Sequence, residues 1–338
     1  MFITNKKLQI SFILFSFIIV PVTALICLGI GRYTLSPLQI LKAFGDLISG
    51  ADGDVMAQTV IFKVRLPRII LAVFIGAGLA CSGAAFQGLF SNPLATPDTL
   101  GVASGASFGA VFAMLFHANL IVIQFSALAF GLAACFITYK MGQVRGKQSV
   151  IMIVLSGIVV SSLVQAMVSL VKYLADPEDQ LPSITYWLMG SMASANYKNL
   201  VLGLPFIVSG MIFLYFIRWR INILSLNEDE AKSMGINLQL IRLLIILASS
   251  LITASCVSMC GSVGWIGLLI PHICRMLLGS NNNTVIPLSV SLGAIFMVVI
   301  DTFARSASSA EIPVSIITAV IGAPVFIILL KKTGGVWS

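Results

Sequence analysis

Six cysteines, two histidines, twelve carboxylates and one lysine in a glycine-flanked stretch are the side chains in this 338-residue sequence that could carry chemistry. Cys256 and Cys260 stand four apart on one helix face, as two metal ligands would, but the stretch offers no further ligand at metal spacing. With Cys27, Cys81, Cys135 and Cys274, also inside apolar runs, they read as small buried hydrophobes. His117 falls at a turn and His272 follows Pro271 in an apolar helix, so the two form no catalytic or metal group. GQVRGKQS, 142–149, approaches a phosphate-binding loop, yet Gln148 follows Lys147 where Ser or Thr is required, and the first glycine is misplaced. The chain is therefore expected to hydrolyse no nucleotide and to bind no cofactor or metal. Asp98, Asp301 and Glu311 lie near the ends of apolar runs rather than at their centres. An acid at mid-bilayer costs about 3 kcal/mol or more and is the usual mark of ion coupling, so an ion-coupled carrier is disfavoured.

The elements that hold these residues are membrane elements. Residues of the set AVILMFWYC make up 58% of the chain and charged residues only 9%, against about a quarter charged in soluble domains. A mean hydropathy of +1.04 leaves no room for a separate water-soluble domain. Disorder, a fibre and a nucleic-acid-binding domain are poor readings despite the net charge of +8. A helix needs about 20 apolar residues to cross the hydrocarbon core, and ten runs qualify, near 8–30, 66–90, 99–116, 120–139, 150–174, 199–217, 240–260, 263–279, 284–303 and 313–330. The first follows Lys6 and Lys7 as a signal peptide would, but its length favours an anchor that stays.

An even number of spans puts both termini on one side. With that side cytoplasmic, 12 of the 20 basic residues lie inside and the other 8 outside. The outer set concentrates at Lys63, Arg65 and Arg68, which points to an outer partner, with lipid phosphates as the competing anchor. Ser36 and Pro37 open a short outer helix whose Leu38, Leu41, Phe44 and Ile48 make one apolar stripe for the membrane surface. Segment 175–198 carries three acids and then an apolar stretch too short to cross, and is expected to tuck a helix back into the bundle. Inside, 218–242 holds Glu228, Asp229 and Glu230 ahead of Lys232 and Gly235, the charge order of a short helix, with a solvated loop as the alternative. Glycines three to five apart in 76–88 and 101–110 let helices approach closely.

Read as one string, RLPRIILAVFIGAGLACSGAAFQGLFSNPLATPDTLGVASGASFGA, 65–110, resembles the FecCD-type permeases of binding-protein-dependent ABC importers for iron chelates and cobalamin. WLMGS at 187–191, LNEDEAKSMGIN at 226–237, GWIGLLIPHICRMLLG at 264–279, DTFAR at 301–305 and EIPVSIITAVIGAPVFIILLKK at 311–332 continue the resemblance in order. It implies an all-α polytopic permease of about ten transmembrane helices with a cobalamin-importer-like fold, spanning 1–338 as one domain in a bacterial or archaeal cytoplasmic membrane. It implies as partners a second permease subunit, identical or related, two ABC ATPase subunits that bind ATP and Mg, an extracytoplasmic solute-binding protein and membrane lipids.

The resemblance also assigns roles. Arg65, Arg68 and Arg305 would meet acidic residues on the binding protein through exposed guanidinium groups. Glu230, Ala231 and Gly235 would contact the ATPase, although Lys232 departs from the family's pattern there. Asn92, Pro93 and Leu94, joined by Ser149, would form the cytoplasmic gate, and Trp187, Met189, Gly190 and Ser191 the outer pathway. The cargo implied is a ferric siderophore, haem or cobalamin, or an oxyanion such as molybdate. An ion-coupled secondary transporter and a sensor that carries nothing are the competing readings.

Overall fold

Residues 5–50, 53–144, 147–224, 237–308 and 310–333 are described by a computed structural model. Twelve helices follow one another among them: α1 (Lys6–Gly29), α2 (Pro37–Ser49), α3 (Val55–Phe90), α4 (Val102–Leu115), α5 (Leu120–Met141), α6 (Val150–Leu174), α7 (Gln180–Leu188), α8 (Tyr197–Ile223), α9 (Leu238–Cys260), α10 (Ile266–Leu278), α11 (Asn282–Ser306) and α12 (Val314–Thr333). A two-residue ladder, Gln143–Val144 with Lys147–Gln148, joins α5 to α6. Asparagines set many of the starts. Asn5, Asn119, Asn196, Asn237 and Asn281 each accept a backbone N–H from the first turn of α1, α5, α8, α9 and α11, satisfying a donor that the helix itself leaves open.

Seven of these helices, α1, α3, α5, α6, α8, α9 and α11, are long and apolar enough to cross a membrane, so the chain is a multi-pass membrane protein. Two shorter apolar helices, α4 and α10, and the apolar stretch 314–329 of α12 stand where the other expected spans fall. At 1.5 Å per residue the 14 residues of α4 reach about 21 Å, short of a hydrocarbon core of about 30 Å. Length and hydropathy together mark seven crossings among the described residues.

The second span begins earlier than hydropathy predicts. Pro67 has no N–H to offer the turn before it, and the chain answers with a π-helical stretch, Thr59–Arg65, in which the Leu66 N–H reaches back to Ile61 O. The Phe62 carbonyl accepts the Tyr197 hydroxyl at 2.7 Å, which ties α3 to the first residue of α8. A second proline, Pro205, lies within α8.

Helix α3 is buried along most of its length, with α8, α9, α10 and α11 packed around it. Small residues make this possible. A Cβ on Gly76 would strike the Gly293 carbonyl oxygen of α11, and one on Gly293 would strike that of Gly76. The expected close-packing role of the glycines at 76–88 is thus met by backbone-to-backbone contact. All six cysteines are free and buried, as expected of packing residues.

The short elements expected outside the membrane also form as helices. Helix α2 carries a full capping box between Ser36 and Gln39. It buries Ile40 and Ala43 while Leu38, Leu41 and Ile48 stay exposed, the arrangement suited to a helix whose apolar stripe meets lipid. Phe44 instead turns inward and packs edge-on against Phe62 at 5.0 Å between ring centres. The stretch after residue 175 tucks back through α7, where Ile184 is fully buried.

Gly76→Val should force α3 and α11 apart and destabilise by about 1–3 kcal/mol, read as a lowered unfolding midpoint in detergent. Gly45→Ala on α2, where an added Cβ meets nothing within 4 Å, should be neutral or stabilise by up to about 1 kcal/mol.

Candidate functional site

Polar groups gather at the two ends of the bundle and leave its middle to small and apolar side chains. At the end where α1 finishes, the last-turn carbonyls have no partner within the helix and carry the negative end of its dipole. Arg65 Nη1 donates to Leu28 O at 2.6 Å and its Nη2 donates to Tyr33 O. Arg305 Nη2, from α11, donates to Cys27 O. Arg68 lies one turn further along α3 and forms an ion pair with Asp301. Its Nε donates to Oδ1 at 2.9 Å and to Oδ2 at 3.0 Å, and its Nη1 donates to Glu311 Oε2 at 2.8 Å.

This knot brings together the three arginines that the sequence assigned to docking, but it does not expose them. Arg65, Arg68 and Arg305 are 4%, 6% and 8% exposed. The expectation of guanidinium groups presented to an outer partner is corrected: helix-end carbonyls and the carboxylates of Asp301 and Glu311 draw them inward. Of these two carboxylates, Glu311 keeps an open edge, with 28% of its side chain exposed. Lys63, on the same stretch, remains exposed.

The tucked 187–191 segment lies beside this end. Gly190, at φ 75, donates its N–H to Trp187 O at 3.0 Å and accepts from Val314 N at 2.9 Å. Ser191 N donates to Cys260 O at 2.8 Å, and the Ser315 hydroxyl donates to Met189 O. A Cβ on Gly190 would collide with Ser262 O, and one on Gly261 would collide with Trp187 O. Backbone bonds therefore pin the segment between the end of α9 and the start of α12. The side chain of Met189 stays exposed and that of Trp187 half-buried.

At the opposite end, α3 stops at Ser91, whose φ of 46 breaks the helix. The Asn92 side chain accepts the Leu94 N–H at 2.9 Å, and Asn92 O accepts Ala95 N at 3.1 Å, a turn closed by its own asparagine. Pro93 fixes the bend and Leu94 is half exposed at its tip. Ser149 caps α6 by accepting Met152 N. No hydrogen bond among the described residues joins Ser149 to the 92–94 turn. Glu230, Ala231 and Gly235 lie outside the described residues, between α8 and α9.

A cavity of about 270 Å³ opens beside the 91–93 turn and reaches Gln87, Asn222, Arg275 and Asn282. Arg275 donates to Ala84 O at 3.0 Å, to Gln87 Oε1 at 3.3 Å and to Asn282 Oδ1 at 3.3 Å. Asn282 in turn donates to Asn222 Oδ1 at 2.9 Å. Sequence reasoning missed this network. The available signal was a glutamine and an arginine placed singly in otherwise apolar helices, where an unpaired polar group is costly.

Polar clusters at both ends, a small-residue centre and membrane-length helices define a polytopic helical membrane protein. The chain belongs to the FecCD transport family, whose sequence pattern matches residues 18–332, and it is a permease subunit of an ABC importer. It is 43% identical over 316 residues to the molybdate import system permease protein MolB of Haemophilus influenzae, covering 93% of this chain and 94% of that one. A cobalamin import system permease protein, BtuC of Halobacterium salinarum, is 36% identical over 276 residues, covering 81% and 74%. The fold superposes with a TM-score of 0.86, at 40% identity and over 95% of this chain and 99% of the other, on a metal-chelate type ABC transporter in an inward-facing conformation.

Removing one partner of a buried ion pair leaves the other charge stranded, at a cost of about 3–5 kcal/mol. Asp301→Asn should therefore lower the yield of folded protein and its unfolding midpoint. Arg68→Met combined with Asp301→Leu should recover most of that loss, measured by thermal unfolding in detergent.

Proposed function

We propose that this permease carries a metal chelate, of the ferric siderophore, haem or cobalamin class, from an extracytoplasmic binding protein to the cytoplasm. The observation that carries the importer reading is the family match across residues 18–332. Two permease subunits, identical or related, enclose the path, each with ten spans and cytoplasmic termini. Two separate ATPase subunits supply the energy, in keeping with the defective phosphate-loop spacing at 142–149.

In this reading Glu230, Ala231 and Gly235 contact the ATPase. The segment holding them connects α8 to α9, and both helices pack on α3, so its displacement would reach the core directly. Asn92, Pro93 and Leu94 at the end of α3 then open or close the inner mouth, and Trp187, Met189, Gly190 and Ser191 line the outer one. Differential contacts in the two states are what the ATP cycle exploits. Docking at the outer end involves Arg65, Arg68 and Arg305 as the supports that hold Glu311 and the adjoining loops in shape.

The 43% identity to a molybdate import permease favours a second reading, an oxyanion cargo. Direct binding of ferric siderophore, haem, cobalamin and molybdate to the cognate binding protein, followed by uptake into vesicles containing permease and ATPase, separates the two. Uptake of molybdate alone selects the oxyanion. Accumulation without ATPase or binding protein would instead sink the importer reading in favour of an ion-coupled carrier. Gly235→Trp should leave ATP hydrolysis measurable but reduce coupled uptake at least about tenfold, and wild-type uptake would remove the coupling assignment.

A further inference from the structure

A second concavity lies away from the polar ends of the path. Helices α1 and α8 flank the first half of α11 and leave between them a cleft of about 660 Å³. Its walls are apolar: Ile10, Leu14 and Phe17 on one side, Met211 and Phe216 on the other, and Pro287 on the floor. All three helices are long and apolar enough to span a membrane, and Leu14 and Phe216 are 60% and 70% exposed. The medium in contact with such a cleft is lipid. Positions 211 and 218 are seven residues apart, about 10 Å along the helix, a groove for part of an acyl chain rather than for a compact solute.

Among the described residues that line the cleft, Arg218, at its end, is the one cation and none is acidic. Its guanidinium lies 3.6 Å from the centre of the Tyr215 ring, and Nη1 donates to Tyr215 O at 3.1 Å. Both contacts come from its own helix, so the group is held in place before any ligand arrives. Its Nε is buried without a hydrogen-bond partner among the described residues. A planar, oriented guanidinium with donors to spare above an apolar groove matches a phosphate attached to a hydrocarbon chain. Basic sites between membrane helices recognise anionic headgroups in this way. Lys6 and Lys7 at the start of α1 and Arg220 beyond Arg218 are exposed at the same end, which adds to the positive potential there.

We propose that the α1–α8–α11 cleft is a binding site for an anionic phospholipid, with one acyl chain in the groove and its phosphate on Arg218.

Native mass spectrometry of the full-length chain, released from detergent with an equimolar mixture of phosphatidylglycerol and phosphatidylcholine of identical acyl chains, tests this. The expected result is at least threefold preferential retention of phosphatidylglycerol. Arg218→Gln should bring the ratio to about one without altering helix content or elution volume, while Val290→Trp, which fills the cleft, should reduce adducts of both lipids. Equal retention of the two lipids by the unmodified chain would overturn the proposal. So would a preference that survives Arg218→Gln, or adducts undiminished in Val290→Trp. Self-association abolished by Val290→Trp would overturn it in favour of a second copy in the cleft.

Discussion

The backbone contact between α3 and α11 at Gly76 and Gly293 is the constraint on which the remaining arrangement depends. In lipid, neighbouring helices gain little from burying apolar surface, because the surroundings are as apolar as the interface, so close packing must supply the attraction. Helix α3 supplies it with a surface of Gly, Ala, Ser and Cys that admits neighbours from several directions. With α3 held this way, Arg65 and Arg68 fall under the end of α1, and the Ser91–Leu94 turn where α3 stops falls beside the Arg275 cavity.

The arginine knot solves a solvation problem. Three guanidinium groups near a helix end within the bundle need acceptors, and two carboxylates, Asp301 and Glu311, are too few for the three charges. The carbonyls of Cys27 and Leu28 and of the loop residue Tyr33 make up the shortfall. The first two are the negative end of a helix dipole and attract cations in any case. Segments distant in sequence, α1, α3, α11 and the 311 loop, are thereby locked to one another by charge-assisted bonds.

Much of the architecture was legible in the sequence because hydropathy and small-residue spacing act locally. The starts of α5, α6, α9 and α11 fall within a few residues of where apolar runs begin, and the glycine spacing at 76–88 announced close contact. The burial of Arg68 was not legible, since its partners Asp301 and Glu311 lie 233 and 243 residues away. That of Arg65 was less so, because backbone carbonyls leave no mark in a sequence. The early start of α3 was hidden for a related reason: Lys63 and Arg65 look like the polar edge of a span, whereas a π-helical turn carries the helix through them. The Arg275 network failed to show because it is assembled from single polar residues on α3, α8, α10 and α11.

Helix α8 is fastened at its first residue, where the Tyr197 hydroxyl bonds Phe62 O, and contains Pro205, a point at which helices bend readily. Ile223, at its far end, lies about 27 Å beyond that proline, while Tyr197 lies about 12 Å before it. The helix is therefore a lever with unequal arms. Each degree of bending at Pro205 swings the long arm by about half an ångström and the short arm by less than half as much, so a broad stroke at the Ile223 end arrives at Tyr197 as a fine adjustment.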